Sequence, residues 1–474
     1  MMKKSKTKYI VLILIAIITT CFLGLALFLS DDSEVTSELP LVNTETVYII
    51  FGLMVLLFLF LMFLLYVSIR RFFILKKMTV GYDDGDTDAP SIVIGHSNSN
   101  DDTSRSSRKA KQNDGLSRFY MLSKIDDLAM EYKKPKYNND FTLKELCDDF
   151  RDFACSELKL YYDISDIRQF IAALSVTHII ILQGMSGTGK TSLAYAFGEF
   201  LKNSTVVVPI QPMWKERTDL IGYFNEFTKK FNETLLLQKL YEANYNDEIY
   251  ITVLDELNIA RVEYYFAEFL SLLELPDVEK RYIDVVSDEW KTDPKLLKNG
   301  RLRLPKNMWF VGTANNDDST FAISDKVYDR AMVLNLDKKA KPFEVASKPV
   351  KKISASRLEQ IFKKSKKEYG LTSRNLRRIR ELDKYLIQNY HISFGNRIMK
   401  QMKEYVPVYV ACGGTELEAI DNILAKKVLR KLESKNLVYV RNTADSLCTF
   451  IDELFGDDKM VMCKEYIKNF EQNA

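Results

Sequence analysis

Eight consecutive residues, Gly184-Met185-Ser186-Gly187-Thr188-Gly189-Lys190-Thr191, follow a short β-branched run, His178-Ile179-Ile180-Ile181-Leu182-Gln183. Glycines ahead of a Lys-Thr pair let successive backbone N–H groups turn inward. The apolar positions Leu193, Phe197 and Leu201 then continue at helical spacing. This puts a ring of N–H donors at a helix N-terminus, which is a cradle for phosphate oxygens. Lys190 would reach the outer phosphates, and the Thr191 hydroxyl is a ligand for Mg²⁺.

A second apolar run, Ile249 to Leu254, ends in Asp255-Glu256. Carboxylates at the C-terminal end of a buried strand face the crevice where open α/β sheets bind ligands. Asp255 would complete the Mg²⁺ shell, and Glu256 would orient and deprotonate an attacking water. A third run, Met308 to Gly312, leads into Thr313-Ala314-Asn315-Asn316, whose amides could hydrogen-bond that water or the terminal phosphate. Arg330 and Arg374 follow, in Asp325-Lys326-Val327-Tyr328-Asp329-Arg330 and Thr372-Ser373-Arg374-Asn375-Leu376. Each reads equally as an ordinary surface arginine, but phosphoryl transfer needs positive charge against its transition state.

These parts, in this order, resemble an AAA+ ATPase. The block Leu254-Asp255-Glu256-Leu257-Asn258-Ile259-Ala260-Arg261-Val262-Glu263-Tyr264-Tyr265-Phe266 is similar to the LDEMNLARVEYYF block of McrB-type members, relatives of the MoxR and dynein groups. Pro212-Met213-Trp214 with Asp219-Leu220-Ile221-Gly222-Tyr223, Leu302 to Asn307, and Ile420 to Leu432 resemble other segments of that family, so the likeness covers about residues 165–435. It implies Walker A at Gly184–Thr191, Walker B at Asp255 and Glu256, and sensor 1 at Asn315. It also implies that Arg330 is a trans-acting finger and Arg374 the sensor-2 arginine, and that the chain assembles as a homo-oligomeric ring, usually hexameric in the family. The sensor-1 stretch Asn315-Asn316-Asp317-Asp318-Ser319 departs from the NTADRS-like run of GTP-using members, and Arg330 stands without adjacent arginines. ATP is therefore the expected nucleotide, with GTP the alternative.

Positioning these residues takes a parallel α/β sheet over about 171–340 and a helical lid over 341–474. A helical lead-in over 116–170 carries Phe141, Leu146, Phe150 and Phe153 at helical spacing. The remaining residues suggest an anchor. Tyr9–Leu29 and Val47–Ile69 carry no charge over 21 and 23 residues, each long enough to cross a bilayer. Between them lie Asp31, Asp32, Glu34, Glu38 and Glu45; outside them lie Lys3, Lys4, Lys6, Lys8, Arg70, Arg71, Lys76 and Lys77. The positive-inside bias then predicts a hairpin over 1–78 with both termini cytoplasmic, in a bacterial inner membrane. The absence of a small-residue cleavage site after the first stretch argues against a signal peptide. Residues 79–115, rich in Asp, Ser, Asn and Gly, read as a flexible linker.

Of 474 residues, 47% are apolar and 28% charged, which excludes a wholly disordered or collagen-like chain. The net charge of +3 hides a run from Lys338 to Arg380 with 15 basic and three acidic residues. Its leading reading is the solvated face of the lid helices, with nucleic-acid phosphate and anionic lipid as alternatives. The six cysteines form no CxxC pair and lie apart from the three histidines, so neither a zinc site nor a disulfide framework is expected. The function these features favour is a membrane-anchored ATPase that remodels a protein client. One alternative is an NTP-driven motor that recruits a nuclease subunit against foreign DNA, although two apolar stretches stand where McrB-type proteins carry a DNA-reading domain. The other is a nucleotide-binding scaffold with negligible turnover.

Overall fold

The computed structural model describes residues 117–203, 205–315, 320–337 and 340–472. Both expected membrane stretches, the linker, Asn316 to Ser319, and Lys338 and Lys339 lie outside them. Among the described residues, no helix is long and apolar enough to cross a membrane.

Three helices lead in: α1 (Met121–Met130), α2 (Leu143–Leu158) and α3 (Ile164–Leu174). Thr142 starts α2 with a capping box, its hydroxyl accepting from Glu145 N while Glu145 accepts from Thr142 N. Strand β1 (Ile179–Gln183) then feeds α4 (Lys190–Phe200). Next come β2 (Val206–Pro209), α5 (Arg217–Ile221), the hairpin of β3 (Phe224–Asn225) and β4 (Lys230–Phe231), and α6 (Leu235–Glu242). After β5 (Tyr250–Asp255) lie the short helices α7 (Val262–Tyr265) and α8 (Ala267–Leu273), then an antiparallel pair, β6 (Tyr282–Asp284) and β7 (Arg301–Arg303). Strand β8 (Met308–Ala314), the one-turn α9 (Asp325–Tyr328) and β9 (Met332–Asn335) complete the α/β part.

The main sheet is parallel throughout, in the order β2-β5-β8-β1-β9. Successive strand residues point to opposite faces, and both faces are buried. Ile180, Leu182, Val253 and Val311 enter a core with Phe150, Phe197 and Phe200. Ile179, Ile181, Leu254 and Phe310 enter another with Leu237, Tyr241, Phe266 and Phe269. Burial on both sides explains why these strands read as continuous apolar runs.

The C-terminal half is helical: α10 (Ala355–Glu368), α11 (Ser373–Tyr390), α12 (Gly395–Ala411), α13 (Glu416–Ile423), α14 (Leu437–Phe455) and α15 (Val461–Gln472). A π turn, Leu424–Val428, continues α13. The expected amphipathic helices of the basic run are present, with Leu358, Ile361 and Phe362 buried and the lysines Lys363 and Lys364 outside. Cys147 and Cys155 are buried, as their apolar neighbours suggest. In the stretch Tyr264-Tyr265-Phe266, Tyr265 and Phe266 are buried while Tyr264 is 55% exposed, because the short α7 directs Val262 and Tyr265 inward and turns Tyr264 away.

Candidate functional site

Strand register alone gathers the site. Leu182 pairs with Thr313 and Gln183 with Ala314, while Leu254 pairs with Gly312. Gly184, Asp255-Glu256 and Asn315 therefore emerge side by side at one edge of the sheet, where a parallel sheet binds ligands.

The loop after β1 is held tightly at both ends. Gly184 sits at φ +144°, and a Cβ there would lie 2.6 Å from Leu336 O, so only glycine lets the backbone pass beside the end of β9. Gly189, at φ +92°, caps α4 and accepts the Tyr162 hydroxyl at 3.0 Å. Met185, Ser186 and Gly187 are exposed, whereas Lys190 is buried. Its ammonium donates to Gly184 O at 2.9 Å and Met185 O at 2.8 Å, so it lies folded across the loop. The Thr188 hydroxyl donates to Met185 O at 2.9 Å and stiffens the same turn.

Beside the loop, a chain of hydrogen bonds links the remaining groups. The Thr191 hydroxyl donates to Asp255 Oδ1 at 2.8 Å, and the Thr313 hydroxyl donates to the same oxygen at 2.9 Å. Thr313 Oγ1 in turn accepts the Glu256 N–H at 2.9 Å. Glu256 holds left-handed backbone (φ 53°, ψ 50°) and is exposed. Such a conformation costs a non-glycine residue about 1–3 kcal/mol and persists where the surroundings fix it. The pairing of a hydroxyl and a carboxylate oxygen, Thr191 with Asp255, is the hard-oxygen donor set that suits Mg²⁺.

Asn258, 5% exposed, ties the next two segments together. Its Nδ2 lies 3.0 Å from Asn315 O, 2.9 Å from Thr320 Oγ1 and 3.2 Å from Phe321 O, while its backbone carbonyl accepts Phe321 N–H. Asn315, just past β8, lines a cavity of about 500 Å³ with Gln183, Asn258, Asn335, Lys426 and Arg430. In an adjoining cavity that shares Asn335 and Lys426, burial pushes the Asp166 carboxyl up to about 6 against the pull of Lys426, assisted by Asp163 and Asp337. Burial likewise pushes the Lys426 ammonium down to about 8, against the opposing pull of Asp166, Asp337 and Asp421.

The two arginines lie elsewhere. Arg330 precedes β9, and its carbonyl accepts the hydroxyl of Thr177, which precedes β1. It thus occupies the N-terminal edge of the sheet, opposite Gly184. At about 3.3 Å per strand residue, the run from 330 to 335 alone separates it from its own loop by roughly 16 Å. Arg374 is exposed in the first turn of α11, and no described hydrogen bond or ion pair joins it to the loop. Thr313, Asn258, Tyr162 and Lys426 belong to the site, yet sequence reasoning gave them no role. The sequence signal for Thr313 is its place at the head of the polar run Thr313-Ala314-Asn315-Asn316.

The sheet order, the phosphate loop and the carboxylate pair define a P-loop nucleoside-triphosphatase module of the AAA+ class. Residues 179–331 match the family model of the AAA domain (dynein-related subfamily), in line with nucleotide hydrolase activity in general. Residues 349–474 match a domain of unknown function, DUF8727. No curated protein matches the chain. Among solved structures it is similar to a full-length MCM homolog from Methanopyrus kandleri, at 11% identity and a TM-score of 0.35, over 62% of each chain.

Proposed function

We propose that this chain is a membrane-anchored AAA+ ATPase that couples Mg²⁺-ATP hydrolysis in an oligomeric ring to remodelling of a partner. The observation that carries the ATPase reading is the bonded line Thr191–Asp255–Thr313–Glu256 beside the phosphate loop. It joins the oxygen pair that would hold the metal to the backbone of the residue that would act as base. In this reading the loop N–H groups and Lys190 hold the β- and γ-phosphates. Thr191 and Asp255 would hold Mg²⁺, which neutralises charge on the phosphate oxygens. Glu256 takes the proton of the attacking water, and Asn315 orients that water. Water attacks the γ-phosphorus as the bond to the β-bridging oxygen breaks.

Arg330 supports the ring. A cation on the sheet edge away from its own loop suits a neighbour's site, and a cation supplied by a neighbour is an established way to stabilise phosphoryl transfer. Membrane anchorage rests on the uncharged stretches 9–29 and 47–69 and the lysines and arginines that flank them.

Paired variants of the full chain in mild detergent test this reading. Lys190→Ala should lose nucleotide binding, whereas Glu256→Gln should bind ATP without turnover and retain its partners for mass spectrometry. Undiminished hydrolysis in Glu256→Gln would remove the base assignment, and negligible hydrolysis by the unmodified chain would favour the scaffold. The nuclease-recruiting motor is favoured by the block from Leu254 to Phe266, and a nuclease or DNA in the trapped complex would select it.

A further inference from the structure

On the sheet edge opposite the phosphate loop, three segments converge. Arg330 follows α9, Glu274 caps the C-terminus of α8, and Arg397 lies in the first turn of α12. Arg330 Nε is 3.3 Å from Glu274 Oε2, and Arg397 Nη2 is 2.9 Å from Oε1 of the same carboxylate. Arg330 Nη1 also donates to Ser271 Oγ at 3.4 Å. One carboxylate therefore holds two guanidinium groups, and the trio keeps a unit of positive charge.

The frame beneath them is rigid. One turn after Arg397, Gln401 Nε2 donates to Asp329 O at 3.0 Å, which docks this face of α12 on the Arg330 turn. From the other side, the buried Lys427 ammonium donates to Tyr328 O at 2.6 Å and to Ala331 O. The charged ends remain accessible, with side-chain exposures of 27% for Arg330, 31% for Glu274 and 48% for Arg397. Ion pairs this open contribute little and exchange readily. A terminal phosphate offers guanidinium groups more oxygens and more charge than a carboxylate does, in a geometry their planar forks match. Glu274 thus occupies the place of an oxyanion between two preset forks.

We propose that Arg397 is a second trans-acting catalytic cation, which leaves Glu274 together with Arg330 to grip the terminal phosphate of a nucleoside triphosphate bound to a neighbouring copy. This rests on the shared-site reading above. Arg397→Ala in the full chain should reduce ATP hydrolysis about 100-fold, the scale of losing one preorganised charge donor. Its affinity for a fluorescent ATP analogue should stay within about twofold, as should its assembly mass by mass photometry, since its own loop is untouched. Arg397→Gln, which keeps the packed stem, should show the same fall.

Mixtures then separate the ideas. Either Arg330→Ala or Arg397→Ala should regain hydrolysis when mixed with Glu256→Gln, whose subunits present both arginines. Mixing Arg330→Ala with Arg397→Ala should regain none, because no interface then carries the pair. Recovery in that last mixture would place Arg397 in its own subunit's site and overturn the proposal. A fall in Arg330→Ala with none in Arg397→Ala would overturn the proposal alone. Full hydrolysis in Arg330→Ala, or no recovery with Glu256→Gln, would overturn the shared site and the proposal with it.

Discussion

Replacing Thr313 by Val tests whether Glu256 is held in its productive position by its neighbour. Valine keeps the β-branched shape that a central strand prefers and fills the same buried space, at 3% exposure. It removes one hydroxyl, which donates to Asp255 Oδ1 and accepts the Glu256 N–H. Asp255 keeps its bond from Thr191, so the metal-binding pair survives. Glu256 loses the acceptor that fixes its left-handed backbone, a conformation about 1–3 kcal/mol above ordinary geometry. If about 2 kcal/mol of that strain relaxes, the fraction of chains with the carboxylate in place falls roughly 30-fold. Steady-state phosphate release should then show kcat down by about 10- to 100-fold, with KM within about threefold because Lys190 and the loop are unchanged. Thr313→Ser, which restores the hydroxyl, should recover most of the loss. A Thr313→Val enzyme within twofold of the unmodified one, or a loss that Ser does not repair, would refute the argument.

Two further outcomes are expected. Burial pushes the Lys427 ammonium down to about 7, with Asp329 opposing that shift and Arg430, Arg397 and Lys431 adding to it. Between about pH 7 and 10 the unfolded chain then binds more protons than the folded one, so stability rises with pH by at most ~1.4 kcal/mol per unit. Lys427→Met should flatten the melting-temperature profile over pH 7–9, and a profile parallel to the unmodified chain would contradict this. In sealed vesicles, protease added to the side that digests residues 79–115 should leave 31–46 intact, and cleavage of both segments from one side would refute the hairpin.

The parts of the site that lie in consecutive residues were legible in the sequence. Three glycines before Lys190-Thr191 and an apolar run ending in Asp255-Glu256 are local patterns, and the structure brings them together at one sheet edge. What links them was not legible. Asn258 and Thr313 look like ordinary turn and strand residues until register sets them against Asn315 and Asp255, because their partners are 57 and 58 residues distant in sequence. The two edge strands are hidden in the sequence for a different reason. Val206–Pro209 and Met332–Asn335 have only four residues each, too few for periodicity to separate them from loop. Lys426 and Lys427 sit in a sequence that reads as a charged helix surface, yet both are buried. Their ammonium groups are satisfied by Gln169 and by the carbonyls of the Arg330 turn, contacts that only the tertiary structure supplies.

The core beneath one sheet face runs without a break from Phe150 and Leu182 through Leu358 and Met402 to Ile467. Two regions that match separate families, 179–331 and 349–474, therefore share a single interior. A cut between them would strand apolar surface on both pieces, so neither region is a portable module. Substitutions that change the shape of one side of that interior must be answered on the other. The two regions are bound to change together, as halves of one folding unit whose seam is visible in the sequence and absent from the packing.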